Sequence, residues 1–314
     1  MHPAYSVIVF TTASGAGFGL LAWLAFSILT VPLASSPTFY LVAFGLAFAL
    51  AVTGLLSSTL HLGHPERAWR AFSQWRTSWL SREGVAAVAC LATNALLALA
   101  AIFDLHPVMQ WILALPGLIL ALATVWCTGM IYESLPTIRA WNHWLTTEIY
   151  LVLSMTSGAL LLTGLLAVFG WHSASAVWTT IGLMIGSALM KCLYWRGIDR
   201  APRTSTAGTA TGLGVLGQVR VLEAPHTQAN FVMREMGYHV ARKHALKLRN
   251  IALLLAFFVP ALLLLIMLLL LPGLAALFLV AAVISMTAGL IVERWLFFAE
   301  AQHVVTLYYG ADRA

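Results

Sequence analysis

Charge is scarce in this sequence. Asp, Glu, Lys and Arg make up 9% of 314 residues, while 61% are hydrophobic and the mean hydropathy is +0.89. A soluble domain carries about 25% charged residues, so a soluble fold is excluded and an integral membrane protein is implied. Cysteine is equally sparse: Cys90, Cys127 and Cys192 each lie within or at the end of an apolar run, with no CxxC spacing. That excludes an iron–sulfur cluster held by this chain alone and leaves the cysteines as small packing residues. Lys and Arg are missing from the first residues, Met-His-Pro-Ala-Tyr, and the apolar run that follows is too long for the core of a secretory signal. It reads as a retained first span.

What is abundant is apolar sequence in lengths of about 20 residues, enough to cross a bilayer as helix. Eight segments qualify, at about 6–31, 38–60, 84–103, 108–131, 149–169, 174–195, 249–271 and 273–297. Pro32, Pro37, Pro107 and Pro272-Gly273 punctuate the turns between them. The expected fold is an all-α integral membrane protein, one membrane domain of residues 1–314 built as an eight-helix bundle. An even number of spans puts both termini on one side. All 17 Lys and Arg fall on that side, and ten of the 11 acids join them, Asp104 being the exception. The positive-inside rule therefore places the termini and the loops 61–83, 132–148 and 196–248 in the cytoplasm. The sequence pI of about 9.5 is then a topology signal, not a nucleic-acid one. The loop 196–248 opens on TSTAGTATGLG, flexible in composition, and continues as TQANFVMREMGYHVARKHALKLRN. The second part reads as a basic amphipathic helix lying on the membrane or offered to a cytoplasmic partner.

The span centres lack ionisable residues, which transporters and proton pumps usually carry at that depth. Their polar groups are Ser, Thr and Asn, including Thr53, Asn94, Thr124, Ser154, Thr156 and Ser187, suited to hydrogen bonds within and between helices. The glycines at 15, 17, 19, 158 and 164 read as close helix contacts. A b-type haem would need axial histidine pairs inside facing helices, and none of the ten His is near a span centre.

The functional candidates form a belt at one membrane edge. The run HLGHPERAWRAFSQWRTSWLSREG carries His61 and His64, then Arg67, Arg70, Arg76 and Arg82, and ends at Glu83. Tyr132, Glu133, Arg139, His143, Glu148, Glu293, Arg294, Glu300 and His303 lie at the same edge. Much of this suits interfacial anchoring, as do Trp69, Trp75, Trp79, Trp141 and Trp144. The pairing of His61 with Glu83, at the mouths of consecutive spans, is less ordinary. A histidine there can donate a hydrogen bond and exchange a proton near neutral pH, and a carboxylate can relay it. Both suit a quinone, which needs donors for its carbonyls and two protons per two electrons.

STLHLGHPERAWRAFSQWRTSWLSREG, with its His-Leu-Gly and Ser-x-Glu, resembles the first edge motif of the DMSO reductase membrane anchor family. MIYESLPTIRAW resembles the family's Tyr-x-Ser motif. ERWLFFAEAQHVVTLYYG and REMGYHVARKHALKLRN are closer to the anchors of cytoplasmic sulfite–quinone dehydrogenases. The resemblance spans most of the chain. It implies a multi-pass protein of the bacterial inner membrane that binds ubiquinone or menaquinone and holds neither haem nor iron–sulfur cluster. Its partners would be a cytoplasmic iron–sulfur subunit and a catalytic subunit that holds a molybdenum bis-pterin cofactor. Carried over by position, His61 and Glu83 become the quinone pair. His64, Arg67, Arg76, Tyr132 and Arg139 become quinone-orienting or partner-facing groups. The expected reaction is sulfite oxidation. The alternatives are an S-oxide-type reductase oxidising quinol, a haem anchor, a small-solute transporter and a purely structural tether.

Overall fold

A computed structural model of the chain describes residues 3–30, 36–171, 173–201, 205–223, 228, 244–269, 272–309, 311 and 313, with the backbone alone at His61 and Pro272. Among the described residues the fold is all-helical and without strands, and eight helices are long and apolar enough to cross a membrane. They are α1 (Tyr5–Thr30), α2 (Pro37–Leu60), α3 (Trp79–Ile102), α4 (Pro107–Glu133), α5 (Thr146–Val168), α6 (Ala174–Arg200), α7 (Ala245–Leu269) and α8 (Ala275–Ala299). Most of the basic helix expected within 196–248 lies outside the described residues.

Local chemistry sets several starts. Ser36 accepts a hydrogen bond from Phe39 N at 3.3 Å, with Pro37 at the first helical position. Ser173 caps α6 by accepting from Ala176 N at 3.2 Å. Each satisfies an N–H that the first helical turn leaves without a partner. Two helices contain a π turn: Phe10–Ser14 in α1, and Leu254–Phe258 in α7 just before Pro260.

α1 is the central element, packed on α2, α4 and α5. Lipid tails are as apolar as leucine, so helices in a membrane associate through close contact and interhelical hydrogen bonds. Gly17 lies against the backbone of Ala51, and Gly19 and Gly158 lie against Ser154 and Gly19; a Cβ at any of the three would collide with main chain. Gly15 and Gly164, expected to act likewise, have open space where a Cβ would point. Trp23 Nε1 donates to Met155 O at 2.8 Å, tying α1 to α5. Asn94 Nδ2 donates to Gly117 O at 3.2 Å between α3 and α4. Thr156 with Ser187 (2.7 Å) and Thr163 with Thr180 (3.0 Å) join α5 to α6.

Several helices run further than the apolar pattern indicates. α3 begins at Trp79, not at residue 84, and α6 continues to Arg200, past residue 195. Both differences have one cause. Helix persists as long as its backbone bonds and packing do, whereas hydropathy falls as soon as polar residues enter the face. The consequence is functional, because it carries charged side chains inside the helices.

Candidate functional site

The polar belt gathers at the end of the bundle shared by both chain termini. His61 closes a short 3₁₀ turn, Ser58–His61, after the α-helical part of α2; its side chain lies outside the described residues. A second 3₁₀ stretch, Pro65–Gln74, fills the connection to α3. His64 and Arg67 are exposed on it, His64 Nδ1 being 3.1 Å and Arg67 Nε 3.7 Å from Glu66 Oε1. Arg76 is also exposed, its guanidinium 5.4 Å from the Trp75 ring. Trp69, Phe72 and Trp75 are exposed beside them. This loop is a surface of cations and aromatics, and its described members stand apart from the buried groups.

Glu83 is different. It is buried inside α3, one turn from the helix start, and the Thr128 hydroxyl of α4 donates to its Oε1 at 2.5 Å. Among the described residues it forms no ion pair. Tyr132, one turn beyond Thr128, is packed in rings: Trp141 at 5.3 Å, Tyr150 at 5.6 Å, Phe297 at 5.5 Å and Phe298 at 5.4 Å. Arg139 donates to Ile198 O at 3.0 Å and also to Ala201 O, so it fastens the loop after α4 to the end of α6.

Sequence reading missed the strongest electrostatic feature. Lys191 of α6 and Glu293 and Arg294 of α8 are each at most 3% exposed. Lys191 Nζ is 2.5 Å from Glu293 Oε1, and Arg294 Nη2 donates to the same oxygen at 2.8 Å, with Nε on Oε2. The Lys191 ammonium also sits 4.4 Å from the Tyr194 ring and 4.7 Å from that of Trp195. The Arg294 guanidinium lies over Tyr150 at 4.3 Å. Two cations share one anion, so the cluster has a net charge of +1 away from water. The available signal was a lone Lys within GLMIGSALMKCLYW and an acid–base pair within LIVERWLF, each inside an apolar run. Nearer the surface, Arg249 of α7 binds Asp199 of α6 (2.6 and 3.0 Å) and Glu300 after α8 (3.0 and 3.1 Å). Burial pushes the Glu300 carboxyl up, and Arg249 opposes that rise.

The chain after α8 folds back over this end. Val304 N donates to Thr137 O at 3.2 Å, and Trp141 Nε1 donates to Phe297 O at 2.9 Å. Among the described residues no group of three His, Cys, Asp or Glu is placed to hold a metal ion.

Two cavities adjoin between α1, α5 and α8. The smaller, about 30 Å³, is the more polar of the two and reaches Thr12, Thr128, Tyr150, Ser154 and Arg294. The larger, about 360 Å³, is apolar and also borders α2 at Leu46 and Leu50. Thr12, Ala16, Ser157 and Leu290 border both.

Eight helices long and apolar enough to cross a membrane, with a buried carboxylate near one end of the bundle and an exposed cationic, aromatic loop beside it, define the class as a multi-pass membrane protein. Known proteins narrow that class further. Residues 1–310 match the DMSO reductase anchor subunit (DmsC) family, and the chain belongs to it. The chain is also 35% identical to a sulfite dehydrogenase subunit of Allochromatium vinosum over 326 aligned residues, covering 98% of this chain and 99% of that protein. No solved structure matches it.

Proposed function

We propose that this chain is the quinone-reactive anchor of a molybdenum and iron–sulfur oxidoreductase, working in the direction of sulfite oxidation. The observation that carries the reading is Glu83: a buried carboxylate, hydrogen-bonded to Thr128, in the layer that also holds the polar cavity. Family membership and the sulfite dehydrogenase relative support the complex. In that complex a cytoplasmic catalytic subunit oxidises sulfite and water to sulfate, releasing two electrons and two protons. An iron–sulfur subunit docks on the exposed loop with His64, Arg67 and Arg76 and delivers the electrons. Reducing one quinone to quinol takes those two electrons and two protons. Glu83 and His61 supply the protons from the cytoplasmic edge, Glu83 through its contact with Thr128.

The test is turnover of the assembled complex with two acceptors. In the Glu83→Gln and His61→Ala variants, quinone-linked sulfite oxidation should fall at least tenfold. Reduction of a soluble dye by the catalytic subunits should be unchanged. Quinone-linked turnover at the wild-type rate in both variants would refute the assignment.

A further inference from the structure

The hydroxyl-bearing residues of α1 do not all behave alike. Thr11 Oγ1 donates back to Val7 O at 3.0 Å and Ser14 Oγ to Phe10 O at 2.6 Å, the usual way a hydroxyl is satisfied in an apolar helix. Thr12, between them, makes no such bond, and its buried Oγ1 has no hydrogen-bond partner. The residue sits in the π turn Phe10–Ser14. A π turn inserts an extra residue into the helix and re-aims side chains, often at functional sites. Here it places Thr12 on the wall shared by the two cavities. The Tyr150 hydroxyl borders the same polar cavity, beside Arg294 and Tyr132. Buried polar groups are nearly always satisfied, so the unpartnered Thr12 hydroxyl on this space indicates a ligand or an ordered water.

The surrounding chemistry narrows the ligand. The larger cavity, about 360 Å³, falls within the range of small-molecule sites. Its walls are aliphatic except at the Thr12–Ser157 end and at Thr287. Val9 and Ile291, at its margin, are both 43% exposed, so the chamber reaches the lipid-facing surface between α1 and α8. The smaller cavity, about 30 Å³, has room for a water and polar groups to hold it. Behind it lies Arg294, part of a buried cluster with an excess positive charge that favours partially negative oxygen.

We propose that an isoprenoid quinone enters this chamber from the lipid between α1 and α8. Its ring oxygen meets the Thr12 hydroxyl, and its tail lies along Leu46, Leu50, Leu160 and Met286. A water in the polar cavity joins Thr12 to Tyr150, Arg294 and Thr128, and Thr128 passes the connection to Glu83. The proposal rests on the quinone-reactive reading and adds a location for the ring, inside the helices and away from the His64–Arg76 loop.

The experiment uses the whole complex in membranes and a fluorescent hydroxyquinoline N-oxide, a quinone analogue, as the probe. Thr12→Val removes the hydroxyl at constant shape, and Ala13→Phe fills the chamber. Co-purification of the catalytic subunits and dye-linked turnover establish assembly. The expected result is probe affinity at least tenfold weaker in each variant. If the wild type binds the probe and both variants bind it equally well, the chamber is refuted and the quinone reading stands. Loss in Ala13→Phe alone refutes the role given to Thr12. If the wild-type complex neither binds the probe nor reduces quinone, the quinone reading falls with the chamber.

Discussion

Lys191, Glu293 and Arg294 illustrate how few charges can decide a local structure. Removing an ion from water costs several kcal/mol even after relaxation, and a buried pair broken on one side typically costs about 3–5 kcal/mol. Among the described residues Glu293 is the only anion bonded to two buried cations. Glu293→Gln leaves both uncompensated, whereas Lys191→Met leaves the neutral Glu293–Arg294 pair in place. Thermal unfolding in detergent should therefore rank Glu293→Gln well below Lys191→Met, by about 2 kcal/mol or more; the reverse order would show that the net charge is not what the cluster balances. Little of this was legible beforehand. Glu83 and Tyr132 stood out because they flank apolar runs, and both prove buried. Lys191 and Glu293 are about a hundred residues apart, and the sequence pattern of one helix carries no record of which other helix it meets. Thr12 was hidden for a related reason, since a π turn redirects a side chain without changing the hydropathy around it.

Single elements show what periodicity and composition can reach. Eight apolar runs and their prolines make eight helices legible, because a backbone in lipid must bond within its own segment. Helix ends are less legible, because hydropathy marks where the polar edge begins and not where backbone bonding stops. The close contacts of Gly17, Gly19 and Gly158 follow from their small size, yet Gly15 faces open space from the same run, a matter of rotation about the helix axis. The segment after α8 was visible as edge residues, Glu300 and His303, within a run that resembles the family's, but its turn and its return to the loop after α4 were not. Its first turn is held by His303, whose Nδ1 accepts from Val305 N at 2.9 Å. Burial lowers the His303 pKa. His143, which accepts from Leu145 N at 3.2 Å in the facing loop, is lowered too, Glu133 partly offsetting its burial. A base with a depressed folded pKa contributes stability that is present above its unfolded value, about 6.5, and is lost as pH falls through the folded value. Protonation also removes the acceptor. The protection of amides 304–309, taken relative to the intrinsic base-catalysed exchange rate, should fall as the pH drops below about 6.5, and His303→Asn, which caps without titrating, should flatten that dependence. Protection in the wild type that does not change between about pH 7.5 and 5 would show that His303 does not hold the turn.

At the scale of the whole molecule, the polar groups are strongly lopsided. Glu83, Tyr150, Glu293 and Arg294 lie one to two turns from helix ends at the end shared by both termini, roughly 6–9 Å along the helix axes, and Tyr132 lies one residue from the end of α4. Among the described residues, the opposite end of the bundle contributes Asp104 alone among the acids. The middle of the bundle is bonded through Ser, Thr and Asn, groups that fix helices together and do not titrate. A proton reaching the proposed site therefore has a short route from the end of the termini and no chain of ionisable residues from the other. If that end is cytoplasmic, as the clustering of Lys and Arg predicts, electrons from the docked subunits and protons for the quinol enter from the same side, and two electrons and two protons together move no net charge across the bilayer. In sealed vesicles with the terminal oxidases inhibited, sulfite should drive quinone reduction without any response from a potential-sensitive dye, and a pH indicator on the far side should stay silent, because the two protons released by sulfite oxidation are taken up by the quinone on the same side. A sustained dye response under those conditions would mean that protons cross the bundle, and would require a conducting path through helices whose centres, among the described residues, hold hydroxyl, amide and thiol groups and no Asp, Glu or His.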